Sequence, residues 1–129
     1  MSNQEIGHAQ LLSNILGPDY PSYQCQYTYP NFTNVREFFE FNQELTRWGE
    51  SGVLGFLSKL NSRDAAQLLE QSIHTEARQQ QIFRQYLKAF PMPVYFEAGI
   101  PQSWAWTLLA PYVVLSFSPA HPLTLLQIH

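Results

Sequence analysis

Hydrophobic residues recur along the chain with the spacing of three long helices. The predicted helices cover residues 2–16, 34–60 and 63–90. Because a connection of only two residues separates the second helix from the third, these two should form an antiparallel hairpin. The pattern therefore predicts an all-α fold in which residues 1–90 form a helical bundle domain.

Capping signals mark the ends of these helices. Ser2 and Glu5 have the spacing of a capping box at the start of the first helix, and Gly17 follows its last turn as a stop signal. Asn34 and Ser62 are predicted to cap the second and third helices, since their side chains can accept a hydrogen bond from a first-turn N–H group.

The helical pattern ends after residue 90. Prolines divide residues 91–129 into short pieces, so we expect an irregular, aromatic-rich extension that packs on the bundle. One or two helical turns are predicted from residue 103, where Trp104 and Trp106 could form a ligand platform or cover one end of the helices. Residues 112–117 could form a short strand, for which the sequence offers no evident partner.

Composition narrows the class of protein. The chain has 129 residues, of which 45% are hydrophobic and 15% aromatic, so it has enough apolar surface to fold. A net charge of −3 without a basic run argues against nucleic acid as a partner. No apolar run is long enough to predict a membrane span. The single cysteine, Cys25, excludes an intramolecular disulfide and a multi-thiolate zinc site.

Four polar residues on the predicted helices could bind a metal ion. Glu5 and His8 form the Glu-x-x-His unit that dinuclear carboxylate bundles take from two of their helices. Glu76 lies on the apolar stripe of the third helix, but Gln79 stands where a second imidazole would be. Glu50 is predicted to point inward from the second helix. A carboxylate-rich set with one imidazole suits iron or manganese.

Each of these residues also has an ordinary structural explanation. Glu5 could cap its helix beside a half-buried His8, and Glu50 could be a carboxylate at the rim of the bundle. Glu76 could form a buried salt bridge with one of three arginines, Arg47, Arg78 or Arg84. A complete dinuclear site needs about four carboxylates and two imidazoles, and His74 could supply the second imidazole only after a shift of helix register.

Several segments resemble a family of fungal ferritin-like proteins that are described as stress-response or sexual-development proteins. The segments are LTRWGESGV at 45–53, TEARQQ at 75–80, FPMP at 90–93 and GIPQSWAWTLL at 99–109. The resemblance covers residues 4–114 and implies a ferritin-like helical bundle. Compared with that family, the chain is truncated at both ends, since it lacks a first bundle helix and the family's continuation after residue 114.

This truncation has two expected consequences. Loss of the first helix removes one ligand carboxylate, so that one chain should hold only a degenerate dinuclear site. The loss also uncovers an apolar flank of the second helix, and an exposed apolar surface of that size normally finds a partner. We therefore expect a homodimer, in which a second copy covers this face.

The sequence is compatible with three functions. The chain could be a stress- or development-related structural or interaction protein with a degenerate metal site, which is the non-enzymatic interpretation that the sequence favours. It could be an iron- or manganese-dependent oxidase or oxygen-handling bundle assembled across a dimer. It could also bind an apolar ligand or a partner enzyme in an aromatic groove. No catalytic residue is identified, because no nucleophile elbow, phosphate loop or dinucleotide fingerprint is present.

The first residues of the chain and the family resemblance predict different cellular compartments. Residues 1–5 lack the basic and apolar regions of a secretory signal, which favours the cytoplasm. The resemblance implies secretion, because members of that family are typically exported. The glycosylation sequon at residues 31–33 agrees with export.

Overall fold

The computed structural model describes residues 1–20 and 25–114, and its architecture is a helical bundle. The helices are α1 (Ser2–Leu16), α2 (Val35–Leu57), α3 (Arg63–Tyr86) and α4 (Gln102–Leu109), followed by a 3₁₀ turn at Ala110–Tyr112. Two short strands, β1 (Gln26–Tyr27) and β2 (Val113–Val114), pair in the antiparallel sense. The predicted all-α class and the α2–α3 hairpin are confirmed.

The helices of the hairpin are shorter than predicted. Helix α2 ends at Leu57, so residues 58–62 form a five-residue connection instead of a two-residue one. Helix α3 ends at Tyr86, because Lys88 adopts a left-handed backbone conformation with φ of 60° and turns the chain out of the helix before Pro91. The hydrophobic pattern continues through both of these turns, which is why it overestimated the helix lengths.

Two of the three predicted N-caps are confirmed. The side chain of Asn34 accepts a hydrogen bond from the backbone N–H of Glu37 at 3.0 Å, and Ser62 accepts one from Ala65 at 3.1 Å. The prediction for Ser2 was wrong, because Ser2 is already helical and Met1 occupies the N-cap position without a side-chain hydrogen bond. The error is confined to the capping residue, because α1 begins at Ser2 and ends at Leu16 as predicted.

The core lies along α3. Leu69, Ile73 and Phe83 are its buried apolar residues, and α2 packs against them over most of its length. Helix α2 is more exposed toward its ends, where Val35 is 68% and Phe56 is 37% exposed. Helices α3 and α4 cover two sides of α2, and the loop before α2 packs on it through Phe41.

Small residues let the segment after residue 98 lie directly on α2. The backbone N–H of Ile100 donates to the carbonyl of Ser51 at 2.9 Å, and the Gln102 side chain donates to the carbonyl of Gly52 at 2.9 Å. A side chain at Gly55 would overlap the backbone of Ile100. Gly55 therefore permits the close approach of the irregular segment before α4.

Aromatic rings hold the loop before α2 in place. Tyr29 and Phe32 pack against Phe41, whose ring also contacts Tyr112. This contact brings β1 beside β2, a pairing that the sequence did not reveal. Of the strand predicted at 112–117, residues 115–117 lie outside the described residues, as does the rest of the extension.

Helix α1 is the least buried of the long helices. None of its residues is fully buried, and its contacts are mainly with α3. Its apolar residues Leu12 and Leu16 are 42% and 52% exposed. None of the helices within residues 1–20 and 25–114 combines the length and hydrophobicity that crossing a bilayer requires.

Candidate metal centre

Helix α1 supplies a carboxylate and an imidazole to the same point. Glu5 and His8 are three positions apart in the sequence (i and i+3) and therefore lie on the same face of the helix. The distance from Nδ1 of His8 to Oε2 of Glu5 is 3.4 Å. The His8 side chain is 19% exposed, whereas that of Glu5 is 53% exposed. The imidazole of His8 is thus the more buried member of the pair and the carboxylate of Glu5 the more exposed one.

Helix α3 brings Glu76 to this pair. Its Oε1 lies 3.7 Å from Nδ1 of His8, and its side chain is only 12% exposed. One donor atom each from Glu5, His8 and Glu76 can be chosen so that all three lie within 4.8 Å of one another. Nδ1 of His8 is buried and makes no hydrogen bond within the described part of the chain. We call these three residues the acidic cluster.

Glu50 lies behind the acidic cluster in the interior. Its residue exposure is 0%, so the alternative that it is a rim carboxylate was wrong. Oε2 of Glu50 accepts hydrogen bonds from Gln80 and, at 3.4 Å, from Arg47. Oε1 is buried and has no hydrogen-bond partner among the described residues. A buried carboxylate with one oxygen unsatisfied is costly.

The Arg47 side chain connects this interior to the extension. It forms ion pairs with Glu50 on its own helix and with Glu97 in the segment before α4. Arg47 therefore neutralises part of the buried charge of Glu50. The ion pair to Glu97 also fastens the extension to α2.

Electrostatics at the site disfavour an additional negative charge. The pKa of Glu76 is raised to about 7, chiefly because the carboxyl group is buried and further because the charges of Glu5 and Glu50 lie nearby. Burial also raises the pKa of Glu50, although Arg47 and Gln80 oppose this effect. A cation at the acidic cluster would reverse both penalties, since it favours the ionised carboxylates.

Gln79 occupies the position where a second imidazole was sought. Its side-chain amide is buried between α1 and α3 and donates to Oε1 of Glu5 at 2.6 Å and to Oε1 of Gln4 at 3.2 Å. Gln79 therefore orients Glu5 through its second oxygen. His74, the other histidine that was considered, is exposed.

The arginine alternative for Glu76 finds no support in the described residues. Arg78 donates to the hydroxyl of Thr75, Arg84 donates to the carbonyl of Phe90, and Arg47 pairs with other carboxylates. The neighbour of Glu76 at this point is the imidazole of His8, with Nδ1 3.7 Å from Oε1. Within residues 1–20 and 25–114, Glu76 is thus a largely buried carboxylate that forms no ion pair with an arginine.

Three supporting residues were missed as parts of the site. Gln80 follows Glu76 by four residues on the same stripe, and Arg47 precedes Glu50 by three, so helical spacing carried a signal for both. Glu97 gave no such signal, because its ion pair depends on how the extension folds back onto α2.

The residues present fit one small divalent cation. Carboxylate oxygens and one imidazole nitrogen are ligands that iron and manganese accept, and the unsatisfied Nδ1 of His8 faces the two carboxylates. They do not supply a complete set for two ions, because one imidazole is present where two are required. Glu50 is the further carboxylate that stands close enough to influence Glu76.

A cavity of about 470 Å³ opens beside the acidic cluster. It lies between the start of α1 and the facing sides of α2 and α3. Its lining is mostly apolar, and Glu5, Glu76 and Gln79 are among its polar lining residues. Its apolar wall includes Phe38, Phe39, Leu45 and Phe83.

Comparison with known proteins agrees with the helical bundle. Residues 1–89 match the Ferritin-like domain family. The chain therefore belongs to the ferritin-like family. It is 58% identical over 114 residues to Protein rds1 of Schizosaccharomyces pombe, a match that covers 88% of this chain and 28% of that protein. No solved structure matches. The chain thus spans little more than a quarter of the length of this fungal relative.

Proposed function

We propose that this chain is a ferritin-like helical module that binds a single iron or manganese ion at the acidic cluster and uses it to hold α1 on the bundle. The convergence of Glu5, His8 and Glu76 within 4.8 Å carries the proposal. Glu50 supports it, because its buried and unsatisfied Oε1 leaves uncompensated negative charge behind the cluster. In this proposal the dinuclear site of the fold is reduced to a mononuclear one.

The proposed role of the ion is structural. Helix α1 buries no residue completely, and the cluster is one of the places where it meets α3. An ion held by ligands from both helices stabilises the docked state by mass action, because the separated helices offer no preformed site. When bound, iron or manganese would also polarise a coordinated oxygen as a Lewis acid.

The oxidase interpretation requires a second metal ion and therefore ligands from elsewhere. In the described part of the chain, Gln79 takes the second imidazole position and binds Glu5. A homodimer could supply a second Glu-x-x-His unit, and the exposed Leu12 and Leu16 of α1 offer an apolar surface for it. Dimerisation and the stress- or development-related role implied by the resemblance are proposals. The division of the chain into a bundle domain at 1–90 and an extension at 91–129 is likewise a proposal.

Metal titration tests the proposed site. We expect the protein to bind about one Mn²⁺ per chain, and the His8→Ala variant to bind it at least tenfold more weakly, because the imidazole ligand is lost. His74→Ala is the matched control, since His74 is exposed and lies outside the cluster. Isothermal titration calorimetry at pH 7.5 measures both.

The same titration separates the competing interpretations. Two ions per chain in the titration, or magnetically coupled Mn²⁺ signals in electron paramagnetic resonance spectra of the loaded protein, would contradict the mononuclear proposal in favour of the oxidase interpretation. Equal loss of affinity in the His8 and His74 variants, or no loss in either, would show that the ion is not held at the acidic cluster.

A further inference from the structure

We propose that the cavity beside the acidic cluster binds an organic ammonium ion with an apolar body, such as a primary alkylamine. The cavity volume of about 470 Å³ lies in the range of small-molecule sites, which is about 300–1,000 Å³. It joins an apolar wall to two carboxylates. This combination selects a ligand that is apolar along its length and positively charged at one end.

The apolar wall is built from rings and aliphatic side chains of α2 and α3. Phe39 and Phe83 pack against each other, with ring centroids 5.9 Å apart, and Phe38 adjoins Phe39. Leu45 lies one to two turns further along α2. Burial of an alkyl group against such a wall contributes about 0.8 kcal/mol per methylene, which corresponds to roughly a fourfold change in affinity.

The polar end of the cavity selects a cation. Glu5 and Glu76 both line it, and within residues 1–20 and 25–114 the Glu76 carboxyl oxygens accept no hydrogen bond. Both arginines of α2 are paired with other carboxylates, Arg36 with Glu40 and Arg47 with Glu50 and Glu97. An ammonium group supplies three N–H donors and a positive charge, and the aromatic rings nearby favour a cation further.

The ammonium site shares Glu5 and Glu76 with the proposed metal site. The two ligands should therefore compete, but neither requires the other. An alkylamine also needs the apolar wall, which a metal ion does not touch. The two proposals can consequently fail independently.

Calorimetric titration with a series of matched amphiphiles tests the inference. At pH 8 and with EDTA present, we expect n-octylammonium to bind at least tenfold more tightly than 1-octanol, and octanoate not to bind. Shortening the amine to n-hexylammonium should weaken binding by about 15-fold, since two buried methylenes are lost. Added Mn²⁺ in place of EDTA should weaken amine binding.

Matched variants locate the site. Glu76→Gln should weaken n-octylammonium binding at least tenfold, whereas Glu70→Gln, an exposed position on the same helix, should leave it unchanged. Leu45→Ala should weaken it severalfold, and Leu68→Ala, outside the cavity, should not. Circular dichroism establishes that each variant is folded, and Glu76→Gln keeps the test decisive if Leu45→Ala does not fold.

Three results would overturn the inference: no binding of n-octylammonium, equal binding of the amine, the alcohol and the carboxylate, or equal effects of the cavity and control substitutions. Amine binding without Mn²⁺ binding would leave this inference standing and refute the metal proposal. Mn²⁺ binding without amine binding would do the opposite.

Discussion

Glu76→Gln should raise the free energy of unfolding of the metal-free protein by on the order of 2 kcal/mol at pH 8. The native carboxylate must ionise while it is mostly buried and close to Glu5 and Glu50, which is why its pKa is raised to about 7. Glutamine has nearly the same shape and carries no charge. The substitution therefore removes the electrostatic cost and retains the packing.

The sign of the pH dependence follows from the raised pKa. Between the ordinary value of 4.5 and about 7, the folded protein binds more protons at Glu76 than the unfolded chain does. The contribution of Glu76 to stability is therefore greatest at acidic pH and is lost as the pH rises through 7. The advantage of Glu76→Gln should accordingly be close to zero near pH 4 and reach its maximum above pH 7.

Urea denaturation at several pH values, with EDTA present, measures this effect. Glu70→Gln is the matched control and should change stability by less than about 0.5 kcal/mol at every pH. With saturating Mn²⁺ the order should reverse, because only the parent gains stability from the bound ion. A Glu76→Gln variant that is less stable than the parent at pH 8 without metal would show that the carboxylate is favourably paired.

Gly55→Ala should lower the free energy of unfolding by about 2–3 kcal/mol. A methyl group at this position would overlap the backbone of Ile100, and a backbone carbonyl cannot rotate away as a side chain can. The segment before α4 would have to lift from α2. This shift would strain the hydrogen bond from Ile100 to Ser51 and the ion pair between Arg47 and Glu97.

Gly7→Ala is the matched control for this prediction. Gly7 lies within α1, and nothing stands within 4 Å of an added methyl group. This substitution should stabilise the protein by about 0.5–1 kcal/mol, since alanine loses less backbone entropy in a helix. Thermal and urea unfolding measure both variants. Equal effects at the two glycines would contradict the close packing of the extension on α2.

The helices were predictable because their signals are local. Caps at Asn34 and Ser62 and the stripe through Leu69, Ile73 and Phe83 depend on residues a few positions apart, and the structure confirms them. The helix ends at Leu57 and Tyr86 were not predicted, because apolar residues continue through the turns that follow. The pairing of β1 with β2 depends on tertiary contacts and left no local pattern.

The candidate site was predictable in part for the same reason. Glu5 and His8 are joined by helical spacing, and Glu76 stood out as an acid on an apolar stripe. Their convergence required α1 to dock on α3, which the sequence alone could not establish. The ion pair from Arg47 to Glu97 was not predictable, because it spans fifty positions and an irregular segment.

Anomalous diffraction from Mn²⁺-soaked crystals would locate the proposed ion in the bundle. We expect one manganese peak per chain, contacted by the carboxylates of Glu5 and Glu76 and by the imidazole of His8. Two peaks at the cluster, a peak bound by other residues, or no peak at a Mn²⁺ concentration that saturates the protein in solution would contradict this expectation.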